Sequence, residues 1–202
     1  MSSTPNPRRG RPRDPDIESR VVGAVEAVYW STGWAGFTVD AVARTAGVGR
    51  EAIYRRWPTK IALLVGALER TTPLPHSIDT GSLRRDLMEL ARQLLSTYRS
   101  RSGMVAIRVA VDARAFPDLL EPLTHTISRS RFTTTRDIVR RGVARGELPT
   151  DTDITLLLEM LTGAVLSHVL FAHDHGTESA DDDRYVGVVV DMTLASVSTG
   201  AR

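Results

Sequence analysis

Residues 38–60 constrain the fold of this chain more than any other segment. Apolar residues at helical spacing over 39–46 predict a short helix, and Gly47 ends it because glycine adopts a positive φ at little cost. Ile53 marks the inward face of a second short helix, and the small side chain of Ala43 allows the two helices to cross closely. The segment is therefore predicted to form a helix-turn-helix, a shape that fits the major groove of DNA.

The same segment carries a resemblance to a known family, which extends over residues 17–68, about a quarter of the chain. The matching residues are Gly36-Phe37-Thr38-Val39-Asp40-Ala41-Val42-Ala43, Ala46-Gly47-Val48, Ile53-Tyr54-Arg55-Arg56-Trp57 and Lys60-Ile61-Ala62-Leu63-Leu64. The pattern resembles the TetR family of bacterial transcriptional regulators. Trp57 stands where the family usually has Phe, and both side chains fill an apolar hole. The resemblance implies a DNA-binding domain followed by a helical domain that binds a small molecule and forms a dimer.

Candidate base contacts lie on the outward positions of the second helix. Arg50 is the leading base reader, since a bidentate contact with guanine suits an arginine early in the recognition helix. Two roles stay open for Glu51, which either accepts a hydrogen bond from cytosine or only neutralises the helix dipole. Gly49 and Ala52 permit close approach to the DNA.

The resemblance assigns further residues to the DNA backbone. It places Tyr54 and Lys60 on phosphates, and Thr38 is expected to join them from the start of its helix. Arg44 and Arg55 are additional candidates for backbone contact. Lys60 is the single lysine of the chain, and it falls at the phosphate-contacting position of the family. The expected partner is therefore double-stranded DNA.

Residues 1–15 are rich in Pro, Arg, Ser and Gly and show no helical periodicity, so they are predicted to form a flexible basic arm. Arg9, Gly10 and Arg11 resemble the core of AT-hook peptides, whose arginines fit a narrow minor groove. Two roles are open for this arm: contact with the minor groove or phosphates, or that of a solubilising tail.

Composition excludes several other classes of protein. The chain has no Cys, which rules out disulfides and thiolate chemistry and fits a cytoplasmic location. No apolar run is expected to reach the about 18 residues of a membrane span, and no signal peptide is evident. Residues 1–60 hold ten basic against six acidic residues, whereas the remainder holds sixteen against eighteen. The basic excess therefore lies with the helix-turn-helix, as attraction to phosphates predicts.

Helical apolar spacing continues beyond this segment, and no strand-like alternation persists. We therefore predict an all-α protein of about nine helices. Gly33 is expected to end the first helix, and one long helix is expected from Pro117 to about Arg145, with a kink at Pro122. Pro73 and Pro75 mark a break. The predicted domains are a basic arm over 1–15, a helix-turn-helix domain over 16–70 and a helical ligand-binding and dimerisation domain over 71–202.

A homodimer is expected because two helix-turn-helix units related by a twofold axis double the base contacts of one. The predicted helix 152–173 is apolar over about half its circumference, so it must bury two faces. A central core helix in a monomer is the alternative. In the family the last two helices form the dimer. The candidate interface residues are Leu156, Leu157, His168, Val186, Val189, Val190, Thr193 and Val197.

The effector cavity of the family lies between the middle helices, roughly residues 82–172 here. Arg108 and Asp112, one helical turn apart, either orient a polar group of a ligand or form a surface ion pair. The sequence does not identify the small-molecule effector. Each candidate lining residue has a plain core role as its alternative: Met88, Leu95, Tyr98, Met104, Ile107, Arg108, Phe116, Leu120, Phe132, Leu161 and Phe171.

Two other functions are alternatives to a sequence-specific regulator. The His173-Asp174-His175 run, with acidic residues 181–183 nearby, has side chains that could bind a metal, although a polar loop is the simpler interpretation. The sequence lacks a Gly-x-Ser-x-Gly motif, a P-loop and a dinucleotide fingerprint, so we predict no enzyme, no metal and no cofactor. The other alternative is an architectural protein that binds DNA through its basic arm with little sequence preference.

Overall fold

The structure of the protein, a computed structural model, describes residues 16–71, 78–123, 129–171 and 179–198. Within these ranges the side chains of residues 120, 122, 123, 129–132, 179, 180 and 198 are not described. Helices account for most of the described chain. In order they are α1 Asp16–Gly36, α2 Val39–Ala46, α3 Arg50–Tyr54, α4 Lys60–Thr71, α5 Leu83–Arg99, α6 Arg101–Ala115, α7 Pro117–Leu123, α8 Arg129–Ala144, α9 Ile154–Phe171 and α10 Ser179–Ser198.

The all-α prediction is confirmed, and the described residues form ten helices rather than about nine. The difference lies after Pro117, where the expected single long helix is two helices, α7 and α8. Pro122 falls one residue before the end of α7. A proline lacks the amide hydrogen that continues a helix and clashes with the preceding turn, so it favours a helix end at this place.

The helix-turn-helix forms as its local signals predict. Thr38 caps α2 by accepting a hydrogen bond from the amide of Ala41 at 3.1 Å. Gly47 ends α2 in the left-handed conformation, with φ 64°, and its amide bonds back to the carbonyls of Ala43 and Arg44. These hydrogen bonds satisfy amide and carbonyl groups that have no partner within a helix at its two ends. Both ends of α2 are therefore stabilised in addition to its packed side.

The end of α1 is kinked at Gly33, which has φ 61° and ψ −171°. Gly33 was expected to end the first helix, but one further turn follows the kink and α1 ends three residues later, at Gly36. The amide of Phe37 closes that turn by donating to the carbonyl of Gly33 at 3.0 Å. The kink redirects residues 34–37 toward α6 and the start of α4.

Two hydrophobic cores organise the molecule. The first joins α1–α4 to one face of α6 and α7 through Val105, Val109, Ala113 and Leu119. The second joins α5, α8, α9 and α10. Helix α6 therefore packs on the helix-turn-helix side of the molecule although it follows residue 71 in the chain. The boundary between domains at residue 70 stays a prediction.

Helix α9 is the one helix among the described residues whose length and composition would allow a membrane crossing, with a mean hydropathy of 1.8 over its 18 residues. The expectation that no segment reaches this limit is therefore wrong. Leu157, Leu158, Leu161 and Val165 are its buried residues. A single helix of this kind is weak evidence for a membrane, since core helices of globular proteins have the same composition.

Candidate nucleic-acid interface

The recognition surface of α3 is exposed around one buried anchor. Ile53 is fully buried and attaches the short helix to the first core. Gly49 precedes the helix as its N-cap in an extended conformation. The predicted base-reading and backbone-contacting residues lie outward: Gly49, Arg50, Glu51, Tyr54 and Arg55 are exposed, and Ala52 is half-buried. Burial of Ile53 therefore holds α3 in place while the residues predicted to face DNA stay at or near the surface.

Arg50 is not free in this structure. Its Nη1 donates to Oδ1 of Asp40 on α2 at 2.9 Å, and both side chains are more than half exposed. The pair lies in an open cleft of about 380 Å³ between α2 and α3 that Ala43, Arg44 and Val48 also line. The sequence interpretation missed Asp40 because its spacing of ten residues from Arg50 matches no helical repeat.

Lys60 lies at the start of α4, where its ammonium group meets the kinked end of α1. Nζ donates to the carbonyl oxygen of Trp34 at 3.0 Å and lies 3.7 Å from the centre of the Trp34 ring. Burial lowers the pKa of Lys60. An ammonium group has three donors, so one hydrogen bond to Trp34 leaves others for an anion. The contact with Trp34 was not foreseen from the sequence.

The remaining predicted DNA contacts divide into two groups. Arg44 is exposed on α2, and the hydroxyl of Thr38 is exposed while it caps the same helix. Arg9, Gly10 and Arg11 lie outside the described residues, so the minor-groove prediction for the arm remains a prediction.

The predicted effector residues do not converge on one cavity among the described side chains. Met88, Leu95, Tyr98 and Leu161 belong to or pack against the second core, whereas Phe116 packs against the first. Phe171 is 73% exposed, which contradicts its assignment to an enclosed pocket of this chain. Met104 and Ile107 are half-buried on α6, and the side chains of Leu120 and Phe132 lie outside the described set.

Arg108 and Asp112 both contact α1. Neither of the two predicted roles, orientation of a ligand or a surface ion pair, describes these contacts. Arg108 donates to the carbonyl of Trp30, and Asp112 accepts from the hydroxyl of Tyr29 and from the amide of Trp34. The two residues therefore join α6 to the end of α1 rather than facing each other as an isolated surface pair.

A cleft of about 540 Å³ opens between α5 and α10. Leu95 is the one predicted effector residue on its wall, beside the ion pairs of Arg92 with Asp183 and of Arg99 with Asp182. Asp182 and Asp183 belong to the acidic run considered for metal binding, and their carboxylates are engaged with arginines. His173, Asp174 and His175 lie outside the described residues, and the described residues contain no cluster suited to a metal ion.

The packing of α9 and α10 corrects four of the eight residues predicted for the dimer interface. Leu157, Val186, Val190 and Thr193 are buried within their own chain, because the inward stripe of each helix packs into the second core. His168 stacks on the ring of Tyr185 at 3.8 Å between centroids. Of the remaining candidates Leu156 is exposed, while Val189 and Val197 are half-buried.

The opposite faces of the same two helices carry an exposed apolar surface, which we call the α9–α10 face. It comprises Leu156, Met160, Leu170, Phe171, Val188 and Met192, whose exposed fractions range from 39% to 73%. The hydroxyl of Ser196 on α10 and the sulfur of Met160 on α9 lie 3.8 Å apart, so the two helices meet beside this face. A side-chain carbon added at Gly163 would meet nothing within 4 Å, which leaves room for close approach. Leu156 is the one member of this face that the sequence interpretation had assigned to the interface, since helical spacing alone does not select the others.

These features define a helix-turn-helix protein with a second helical core. Residues 23–67 match the model of bacterial regulatory proteins of the tetR family, and residues 77–192 match the tetracyclin repressor-like C-terminal domain. The chain belongs to the TetR family of transcriptional regulators.

Relatives of known name agree with this assignment. The chain is 32% identical to the HTH-type transcriptional regulator AqdR of Rhodococcus erythropolis, over 82% of this chain and 79% of AqdR. It is 28% identical to the DNA-binding transcriptional repressor TetR of Mycobacteroides abscessus, over 84% and 88%. The crystal structure of the TetR family transcription regulator SCO0332 aligns with a TM-score of 0.59 at 26% identity, covering 90% of this chain and 98% of that one. The family is one of DNA-binding regulators, so the prediction of a regulator rather than an enzyme is confirmed.

Proposed function

We propose that this protein is a repressor that binds a palindromic operator as a homodimer and leaves it when a small molecule binds. The observation that carries the proposal is the exposed surface of α3. Arg50 is exposed at the start of this helix, and the buried side chain of Ile53 attaches the helix to the core. The name of the repressor from Mycobacteroides abscessus supports repression as the mode of action. Because the target is chromosomal DNA, we expect the protein in the cytoplasm.

Base recognition is assigned to Arg50, with Glu51 as its neighbour on the groove side. A guanidinium group can donate two parallel hydrogen bonds to O6 and N7 of guanine. The bond to Asp40 engages one nitrogen of Arg50 and leaves the others available. Tyr54, Arg55, Arg44, Thr38 and Lys60 are assigned to phosphates, which fix the register of the protein on the duplex.

Dimerisation is assigned to the α9–α10 face. Monomeric proteins rarely expose a continuous apolar surface that is larger than a few hundred Å², and such surfaces commonly mark interfaces. A second copy of the same face would cover it, since a twofold axis pairs identical surfaces. This arrangement also accounts for the high hydropathy of α9, whose two faces are then both buried. Two recognition helices thereby become available to successive major grooves.

Release by an effector requires that the ligand bind one arrangement of the two recognition helices better than the other. Helix α4 connects the helix-turn-helix to the rest of the chain, and α6 packs on both α1 and α4 through the first core. Met88, Leu95, Tyr98, Met104 and Ile107 remain candidates for the effector cavity. A ligand that moves α5 or α6 would therefore act on the DNA-binding helices through direct packing.

Selection of binding sites from random duplex DNA, read by sequencing, tests the proposal. A palindromic consensus is expected, with half-sites about one helical turn apart. An architectural protein would instead enrich no motif and would lose its binding as the salt concentration rises. Absence of binding at low salt would contradict the assignment of α3 to DNA.

A further inference from the structure

Trp34 is held through both of its backbone polar groups. Its amide donates to Oδ2 of Asp112 on α6 at 3.2 Å, and its carbonyl accepts from Nζ of Lys60 at 3.0 Å. Asp112 is 78 residues away in sequence, whereas Lys60 begins the helix that follows α3. One residue at the end of α1 therefore lies between α6 and the start of α4.

Asp112 is itself firmly placed. The hydroxyl of Tyr29 donates to the same carboxylate oxygen at 2.8 Å. Burial and then this hydrogen bond raise the pKa of Tyr29, so the phenol remains a neutral donor. A carboxylate that accepts two hydrogen bonds from one neighbouring helix has little freedom to turn. Asp112 thus ties α6 to α1 at one defined point.

The kink at Gly33 makes this approach possible. Gly33 has φ 61°, where a side chain is strained. A side-chain carbon there would lie 2.7 Å from Nη2 of Arg108. Nη1 of the same arginine donates from α6 to the carbonyl of Trp30. Arg108 therefore bonds to the chain before the kink and Asp112 bonds to the chain after it. The direction of residues 34–37 consequently depends on α6.

The Trp34 ring also contacts the ammonium group of Lys60. An ammonium group 3.7 Å from the centre of an indole ring lies within the range of a cation–π contact. The Phe37 ring packs on Trp34 with 6.3 Å between centroids, which limits movement of the indole. The location of the Lys60 cation consequently depends on where the Trp34 backbone is held.

We propose that Asp112 is a positioning residue for the DNA contact of Lys60, acting through Trp34, and that it makes this contact depend on the placement of α6. The inference rests on the proposed function, which assigns Lys60 to a phosphate. Displacement of α6 withdraws the anchor of Trp34 and lets the Lys60 ammonium move away from the position that meets the DNA backbone. The route does not pass along α4.

The single lysine of the chain allows a direct test without DNA. Lysine labelled with 13C only at Cε gives one side-chain signal in NMR spectra, and that signal belongs to Lys60. In the unaltered protein the ring current of Trp34 should displace it from the position of free lysine. Asp112→Ala should return it toward that position, as Trp34→Leu does, while Asp118→Ala, at an exposed position on the neighbouring helix α7, should not. A signal that Asp112→Ala leaves in place would overturn the inference.

A double-mutant cycle on a mixed-sequence duplex at low salt provides the second readout. Asp112→Ala should weaken binding by roughly three- to thirtyfold, as pairwise couplings typically do. The same change should have no effect in the Lys60→Ala background. An equal loss in both backgrounds would mean that Asp112 supports the fold in general, and would overturn the inference.

The two readouts separate failure of the inference from failure of the proposed function. If Lys60→Ala binds DNA as well as the unaltered protein, the phosphate assignment of Lys60 is wrong and the inference falls with it. If only the NMR displacement fails to change, the phosphate contact stands and Asp112 has no part in it. Asp112→Asn and Tyr29→Phe keep the chain closer to its original packing, and they should give intermediate displacements even if Asp112→Ala does not fold.

Discussion

Asp40 accepts a hydrogen bond from Nη1 of Arg50 across the turn between α2 and α3, at 2.9 Å. Both side chains are largely exposed, and exposed ion pairs contribute on the order of 1 kcal/mol or less to folding. The pair therefore has little to do with stability. The pair instead orients the Arg50 side chain. A carboxylate bonded to one nitrogen of a guanidinium limits the rotamers in which the other nitrogens can contact a base.

Removal of Asp40 should change specific and non-specific binding in opposite directions. Asp40→Ala frees the guanidinium of Arg50, so discrimination between base pairs at the position that Arg50 reads should fall. The same change removes a negative charge near the phosphates, so affinity for unrelated duplex should rise. Titration of the selected operator and a scrambled duplex at several salt concentrations measures both. Parallel changes in the two affinities would contradict an orienting role for Asp40.

Removal of Arg50 should relax specificity at one base position in each half-site. A lost bidentate contact with guanine costs about 1–3 kcal/mol of discrimination. Site selection repeated with Arg50→Ala should show a flat preference at that position and an unchanged preference elsewhere. Arg114→Ala, an exposed arginine near the end of α6, is the matched control and should leave the profile as it is. An unchanged profile for Arg50→Ala would remove Arg50 from base recognition.

A charge placed on the α9–α10 face should dissociate the dimer. Met192 is 69% exposed on α10, so Met192→Asp is tolerated in the single chain but leaves an unpaired carboxylate in a twofold interface. Burial of an unpaired charge costs several kcal/mol, so the dissociation constant should rise at least about a hundredfold. Sedimentation velocity over a concentration series measures this change.

Val111→Asp is the control for that substitution. Val111 is 65% exposed on α6, so the chemistry and exposure are similar while the face is different. This variant should remain as dimeric as the unaltered protein. Equal dissociation by both variants, or by neither, would place the interface elsewhere.

Stability should depend on the ionisation of Asp86, a fully buried residue of α5. Burial opposes its ionisation, but hydrogen bonds from the amide and hydroxyl of Thr80 and from Arg145 outweigh it and lower the pKa of Asp86. A lowered folded-state pKa contributes stability above the ordinary value of about 4, and this stability is lost as pH falls through the folded value.

Asp86→Asn should therefore reduce the free energy of unfolding by about 1–3 kcal/mol at neutral pH. The difference from the unaltered protein should shrink as the pH falls below 4, which urea unfolding at a series of pH values would show. Asp79→Asn is the matched control, since Asp79 is 55% exposed and lies 3.6 Å from the same arginine, Arg145. A constant difference across the pH range would falsify the role of the charge.

The helix-turn-helix was predictable because its signals act over short distances in sequence. The Thr38 cap and the Gly47 turn each satisfy groups within five residues of themselves, and the spacing of Val42 and Ala46 sets the buried side. The surface of α3 follows from Ile53 in the same way.

Four of the eight dimer candidates are buried in their own chain for a physical reason that concerns α9 and α10. Both helices are apolar on more than one side, so helical spacing alone cannot distinguish the side that packs inward from the side that stays exposed. Packing against α5 and α8 selects Leu157 and Val190 for the core and leaves Met160 and Met192 outside. That selection depends on helices from other parts of the chain.

By itself the sequence determined the helical class, the helix-turn-helix with its cap and turn, and the outward residues of α3. The tertiary structure alone decided that Asp40 meets Arg50, that Asp112 and Lys60 hold Trp34 from two sides, and which sides of α9 and α10 are exposed. The physical reason is the range of the interactions. Caps and turns depend on neighbours within one turn, whereas these contacts join residues that only the packing of separate helices brings together.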